Sequence, residues 1–303
     1  MDDLKPIRLH HNTTYTFDRS VVLGPHDVRL RPFGHCRSPI LDYTLRVQPA
    51  DATVHWYVDA PGNSVARFVF SQPVLELSFD VELTADLRSG NPFDFLLDLS
   101  AMQFPFRYPD EVAVELAPAL GADPAVTRLS EWVETLRRDC MGTGSIDTMG
   151  LLVELNRRIH GQIAYTVREE PGVQSPEQTL TLAAGSCRDS SWLAVQVLRE
   201  LGLAARFVSG YLIQPESDTS QQQSSAGQAQ TAAPALRADL HAWVEVYLPG
   251  AGWIGLDPTS GLLAAEGHIA LARARVPSAA APVIGSASPS QTRLTHRLAV
   301  ESV

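Results

Sequence analysis

The feature that most constrains this chain is a change of hydrophobic period near residue 90. Before it, apolar and polar residues alternate over short runs: Val28-Arg29-Leu30-Arg31, Tyr43-Thr44-Leu45-Arg46-Val47, Val54-His55-Trp56-Tyr57-Val58 and Leu75-Glu76-Leu77-Ser78-Phe79-Asp80-Val81. Alternation gathers the apolar side chains on one face of a strand. Turn residues such as Pro61-Gly62-Asn63 separate the runs, so the segment up to Leu87 predicts six or so short strands in an antiparallel sandwich. Beyond Ser89-Gly90-Asn91-Pro92 the spacing becomes helical, over Ala125 to Arg138 and Ile146 to His160. The expected division is a β-sandwich over 1–88 and a second domain over 89–303.

A length of 303 residues suits two domains. Asp and Glu outnumber Lys and Arg by 34 to 24, a net charge of -10. That balance argues against a nucleic-acid surface and against docking on anionic lipid. No stretch approaches the roughly 18 apolar residues of a membrane-spanning helix, and Met-Asp-Asp-Leu-Lys-Pro is not followed by the apolar core of a secretory signal. The expected location is therefore cytoplasmic. Cys36, Cys140 and Cys187 form neither a metal-ligand spacing nor an even-numbered disulfide framework. No metal and no cofactor is expected. Cys36 and Cys140 read as small buried hydrophobes.

Cys187 differs because of its neighbours. Gly185-Ser186-Cys187-Arg188-Asp189 sets it where a turn gives way to a helix running to about Gly202. Unpaired N–H groups and the helix dipole there stabilise a thiolate, the nucleophilic form. A strand follows over Ala205 to Ile213. Next comes a low-complexity Gln/Ser segment, with 215–238 expected to be a flexible insertion. In His241-Ala-Trp-Val-Glu-Val-Tyr-Leu248, residues 242, 244, 246 and 248 share a core-facing side, while His241, Trp243, Glu245 and Tyr247 face the other way. In Trp253-Ile-Gly-Leu-Asp257, Asp257 opposes Ile254 and Leu256 in the same sense, and Pro249-Gly-Ala-Gly252 joins the two runs as a hairpin. The midpoint of 241 and 257 is residue 249, inside that turn, so the expected register sets His241 opposite Asp257. Cys187 would then be the nucleophile, His241 the proton carrier and Asp257 the group that orients it. Gln162, Trp243 and Trp253 are candidate oxyanion-hole or substrate-cleft residues. After residue 271 an Ala/Pro/Ser-rich stretch, 272–291, leads to a last alternating strand over Thr292 to Val300.

The blocks Gly185-Ser-Cys-Arg-Asp189, Leu198-Arg-x-Leu-Gly-Leu203, His241-Ala-Trp-Val-Glu-Val-Tyr247 and Gly252-Trp-x-x-Leu-Asp-Pro-Thr259, in that order, resemble the bacterial transglutaminase-like proteins. The early part, His11-x-Thr13-x-Tyr15 through Leu30-Arg31-Pro32 and Gly62-Asn63, is similar to the β-rich N-terminal region that accompanies them. The resemblance implies an α+β fold with a papain-like core, the nucleophile at a helix N-terminus packed on an antiparallel sheet. It implies that Cys187, His241 and Asp257 match the family triad, and that the chemistry is acyl transfer through a thioester. Arg188 and Asp189 belong to the nucleophile block in structural roles. The segment Gly261 to Ile269, with Ala281 to Gly285, looks like the subset in which this module begins a longer chain, so association with further domains is open. Three functions remain: a thiol hydrolase of peptide, isopeptide or glutamine amides, a crosslinking glutamyl transferase, and a silent peptide-binding module. A protein or peptide is the partner in each.

Overall fold

The computed structural model describes residues 6–34, 37–87, 90–123, 127–142, 144–168, 170–215 and 235–303. Cys36 and most of the Gln/Ser segment lie outside them. Six strands open the chain: β1 (Ile7–Val21), β2 (His26–Val28), β3 (Ile40–Gln48), β4 (Thr53–Val58), β5 (Ser64–Val69) and β6 (Val74–Ala85). Their alternation buries Ile7 and Leu9 of β1 and Leu77, Phe79, Val81 and Leu83 of β6 in one core. The remaining strands are β7 (Gln103–Phe104), β8 (Ile146–Asp147), β9 (Ala164–Tyr165), β10 (Ala184–Gly185), β11 (Ala205–Pro215), β12 (Leu236–Leu248), β13 (Gly252–Asp257), β14 (Leu262–Leu263), β15 (His268–Ala274), β16 (Val283–Ile284) and β17 (Thr292–Ser302). Helices are α1 (Asp110–Leu120), α2 (Thr127–Met141), α3 (Thr148–Gln162), α4 (Pro176–Leu182) and α5 (Cys187–Glu200).

Two four-stranded sheets, ordered β17-β1-β6-β3 and β16-β2-β5-β4, form the sandwich. Both contain a strand from the far end of the chain. Thr292 to Ser302 pairs antiparallel with Phe17 to Ile7, and Val283 and Ile284 pair with β2. The expected boundary at 88/89 is therefore not followed by the strand pairing, because the C-terminal segment returns to the first sheets. An alternating strand with one apolar face lowers its energy against any free sheet edge, and sequence order does not say which edge that is.

A separate five-stranded sheet, β14-β13-β12-β11-β15, is antiparallel throughout. Ala242, Val244, Val246 and Leu248 of β12 join Phe207, Ile254 and Leu256 in a core shared with α2, α3 and α5. Helix α5 is buried almost all round, from Trp192 through Arg199. Helices α2, α3 and α4 enclose it from the side away from the sheet. Tyr211, Ile213, Ile269 and Leu271 extend the sheet into the sandwich core, so the two cores meet across β11 and β15.

Several boundaries differ from the sequence reading for local reasons. Ile146 and Asp147 pair with Phe104 and Gln103, and the Asp147 carboxylate caps α3 by accepting from the Gly150 N–H at 2.7 Å. The helix therefore starts at Thr148 rather than Ile146. Residues 236–238 and Pro215 continue β12 and β11 instead of belonging to a flexible insertion, and 272–274 complete β15. The two-residue β9 pairs parallel with β10. Helix α4 carries a capping box that the sequence spells out as Ser175-Pro176-Glu177-Gln178: Ser175 Oγ accepts from the Gln178 N–H, and Gln178 Oε1 from the Ser175 N–H.

Candidate active site

Cys187 is the first residue of α5 and nearly buried. Its turn is held by Asp189, whose carboxylate is fully buried. Asp189 Oδ2 accepts from the Ser186 N–H and the Ser186 hydroxyl, both at 2.8 Å. Oδ1 accepts from the Gln174 N–H at 2.7 Å, and Arg168 Nη1 donates to both oxygens at 2.7 and 2.8 Å. Burial pushes this carboxyl up, but the hydrogen bonds from Arg168, Gln174 and Ser186 outweigh it and hold it below the ordinary value. Arg188 Nη2 adds a second clamp, donating to the carbonyls of Arg168 and Glu170 at 2.8 and 3.1 Å. Gly185 is required here, since a Cβ on it would lie 2.8 Å from Asp189 Cβ. The structural roles expected of Arg188 and Asp189 are the ones these contacts describe.

The hairpin pairs Leu248 with Gly252, Val246 with Ile254 and Val244 with Leu256. Its centre is residue 250, not 249. Continuing that register sets Asp257 opposite Trp243 and diagonal to His241, instead of directly opposite it. The correction moves pairing by two residues, an even number, so His241 and Asp257 still share a face. His241 Nε2 lies 3.2 Å from Asp257 Oδ2, with both side chains buried. The approach is close but off-line, and Nε2 does not meet hydrogen-bond geometry there. Burial opposes charge on His241, yet its interactions with Asp257 and with Cys187 dominate and raise its pKa to about 10. Both the thiol and the carboxylate thus favour the charged imidazole. Asp257 is pushed up by burial and pulled further down by His241 and His268, so it stays well below the usual carboxylate range.

Further groups fix the carboxylate. Oδ1 accepts from the Thr259 N–H at 2.9 Å, while Oδ2 accepts from Ser260 Oγ at 3.0 Å and from His268 Nε2 at 3.3 Å. Asn156, buried on α3, donates Nδ2 to the carbonyls of Asp257 and Leu262 at 3.2 and 2.9 Å, tying the end of β13 to the helix layer. Sequence reasoning missed Asn156, His268 and Ser260. The offset from Asp257 to Ser260 fits turn chemistry, whereas nothing local announces the other two.

The remaining candidates go elsewhere. Gln162 Oε1 accepts from Trp132 Nε1 at 2.6 Å, in a groove between α2 and α3, and among the described residues no contact joins it to Cys187. Trp253 lies under the Arg206 guanidinium at 3.8 Å and against Tyr247, at the far end of the hairpin. Trp243 is buried behind His241, with ring centroids 6.4 Å apart and nearly parallel planes, so it backs the imidazole instead of lining a cleft. Tyr165, whose β9 strand pairs with the segment just before Cys187, is largely exposed, and its phenol is pushed up first by burial and then by charge on Cys187. Cys140 is half-buried, with burial as the main force raising its thiol. Among the described residues no helix is long and apolar enough to cross a membrane.

Comparison with known proteins matches two stretches of the chain to known families. The profile for the bacterial transglutaminase-like N-terminal region matches residues 7–86, and that for the transglutaminase-like superfamily core matches 135–258. An uncharacterised protein of Mycobacterium leprae is 24% identical over 283 residues, covering 92% of each chain. One of Mycobacterium tuberculosis (strain H37Rv) is 23% identical over 272 residues, 88% of this chain and 83% of the relative. Among solved structures, a proposed cysteine protease of Cytophaga hutchinsonii superposes with a TM-score of 0.66 at 18% identity, over 100% of this chain and 92% of that one. That likeness is one of fold.

Proposed function

Since the chain belongs to the transglutaminase-like superfamily, with the bacterial N-terminal region ahead of its core, we propose that it is a thiol-dependent acyl-transfer enzyme. Its substrate bond is a peptide, isopeptide or glutamine amide, and water is the acceptor. The observation that carries this reading is a buried His241 facing the Asp257 carboxylate at 3.2 Å, with its charged form favoured by both Asp257 and Cys187.

The steps follow from the groups. The Cys187 thiolate attacks the amide carbon, and the carbonyl π pair moves onto oxygen. The N–H groups at the start of α5, that of Cys187 included, are aimed at such charge. The intermediate collapses, the C–N bond breaks, and the His241 imidazolium gives its proton to the departing amine. A thioester remains. His241, now neutral, takes a proton from water, whose oxygen attacks the thioester; the C–S bond breaks and the thiolate leaves. A carboxylic acid is released and ionises in solution. Asp257 stays ionised beside the ring and stabilises its charged form, without itself needing to take the proton.

Water is the default acceptor unless a site excludes it and binds an amine. A cytoplasmic setting belongs to the proposal, because Cys140 and Cys187 are free thiols that a reducing compartment keeps available. The test is incubation with glutamine-containing peptides and a labelled primary amine, with Cys187→Ala as control. Amide hydrolysis should exceed amine incorporation and vanish in the variant, which should remain folded. Incorporation outpacing hydrolysis would transfer the assignment to a crosslinking enzyme. No turnover, with Cys187 no more reactive than Cys36 or Cys140, would leave a binding module.

A further inference from the structure

His268 opens β15, eleven residues beyond Asp257, and its side chain is one-tenth exposed. Its ring is packed edge-on against Trp243, with centroids 5.2 Å apart, and tilted against His241 at 5.8 Å. Two hydrogen bonds define its chemistry. The Ala265 N–H donates to Nδ1 at 3.2 Å, and Nε2 faces Asp257 Oδ2 at 3.3 Å. An imidazole nitrogen that accepts a hydrogen bond carries no proton, so the ring proton sits on Nε2 and points into the carboxylate. The backbone of residue 265 therefore selects the tautomer.

The donor atoms of His241, Asp257 and His268 also lie within 4.8 Å of one another, close enough to consider a cation. The tautomer argues against it. A metal-ligating histidine offers one lone pair and donates from its other nitrogen, whereas His268 accepts at Nδ1 and has its proton at Nε2.

We propose that His268 is a positioning residue of this site, acting on Cys187 through Asp257 and His241. The inference rests on the reading of Cys187, His241 and Asp257 as a working triad. The off-line contact from His241 cannot by itself set the rotation of the Asp257 carboxylate. Thr259 holds Oδ1 from the backbone, and the rotatable Ser260 hydroxyl follows Oδ2 wherever it goes. The wedged His268 ring is the rigid donor that fixes Oδ2 on the side facing His241. Loss of it lets the carboxylate turn, and the imidazolium beside the thiol loses its partner.

The test is site-resolved alkylation of the full chain by iodoacetamide at neutral pH, read by mass spectrometry, in His268→Leu, His268→Gln and His268→Asn. The glutamine amide nitrogen reaches about where imidazole Nε2 lies, while that of asparagine reaches only the Nδ1 position. Leu and Asn should slow Cys187 labelling about tenfold, the scale of one hydrogen bond to a charged group acting at second hand. Gln should stay within about twofold of the wild type by the same scale. Wild-type rates in all three variants, or Gln as slow as Leu, would overturn the proposal. Should Leu fail to fold, the Gln and Asn pair still decides. If wild-type Cys187 reacts no faster than Cys36 and Cys140, the triad reading fails and takes this inference with it. A reactive wild-type thiol with indifferent variants removes the inference alone.

Discussion

Asp189→Ala tests how the turn that presents Cys187 is held. Asp189 is fully buried and receives five hydrogen bonds from Arg168, Gln174 and Ser186. Truncation strands the N–H groups of Ser186 and Gln174, each worth about 1–3 kcal/mol when left unpaired out of water. Arg168 is one-fifth exposed and recovers part of its loss from solvent, so its share is discounted. Water entering the vacated space offsets part of the rest. A net loss of about 3–4 kcal/mol follows, within the range for breaking a buried pair. At roughly 2–4 °C per kcal/mol for a domain of this size, Tm should fall by roughly 10 °C. Differential scanning fluorimetry reads that shift, and iodoacetamide labelling of Cys187 should slow in parallel because Ser186 immediately precedes it. Asp189→Asn, of equal volume, should recover little. Its amide can accept at only one of two positions that both receive donors, and its NH2 meets donors at the other. The sign of the pH effect is also determined. A carboxyl held below its unfolded value contributes stability that is present above about pH 4 and lost as pH falls through the folded value. The acid limb of the stability curve should therefore flatten in both variants. An Asp189→Ala protein with Tm within about 2 °C of wild type and unchanged labelling would refute the reasoning, since less than about 1 kcal/mol would then be at stake.

Two further outcomes are expected. In Asp257→Asn, His241 loses the group that most strongly raises it, so the alkaline limb of activity should retreat from near pH 10 toward neutrality. A histidine raised above its unfolded value contributes stability that is full below about pH 6.5 and lost through about pH 10. The depressed Asp257 adds a part lost only in acid, below about pH 4. The stability gap from wild type should thus be widest between those two lower values, and a gap that grows toward pH 10 in denaturation experiments would contradict this. Gly210→Ala should destabilise by about 3 kcal/mol: its Cβ would run into the Ile269 carbonyl and lie 2.7 Å from Trp243 Cη2, neither of which can withdraw without breaking β11–β15 pairing or unseating the ring behind His241. An unchanged urea midpoint would show that the sheet can yield there.

What could be read from the order of residues alone was whatever is decided within about ten positions. Alternation identified the strands and the side each residue faces, and helical spacing with a glycine stop outlined α5. The Pro249 to Gly252 turn brought His241 and Asp257 onto one face. These survive small errors: the hairpin register moved by two, and both side chains kept their side because a strand repeats every two residues. What only the tertiary structure decided depends on contacts between distant segments. Nothing near Thr292 to Ser302 says that its partner is β1, at the opposite end of the chain. Gln162 looked free to serve the site until α2 brought Trp132 to its amide. His268 is an ordinary strand residue until β15 pairs with β11 and turns its Nε2 toward Asp257. A side chain's backbone conformation is a local choice, whereas its partner is set by how whole sheets and helices pack to bury apolar surface. The shared face of His241 and Asp257 was accordingly legible, and the groups packed around them were not.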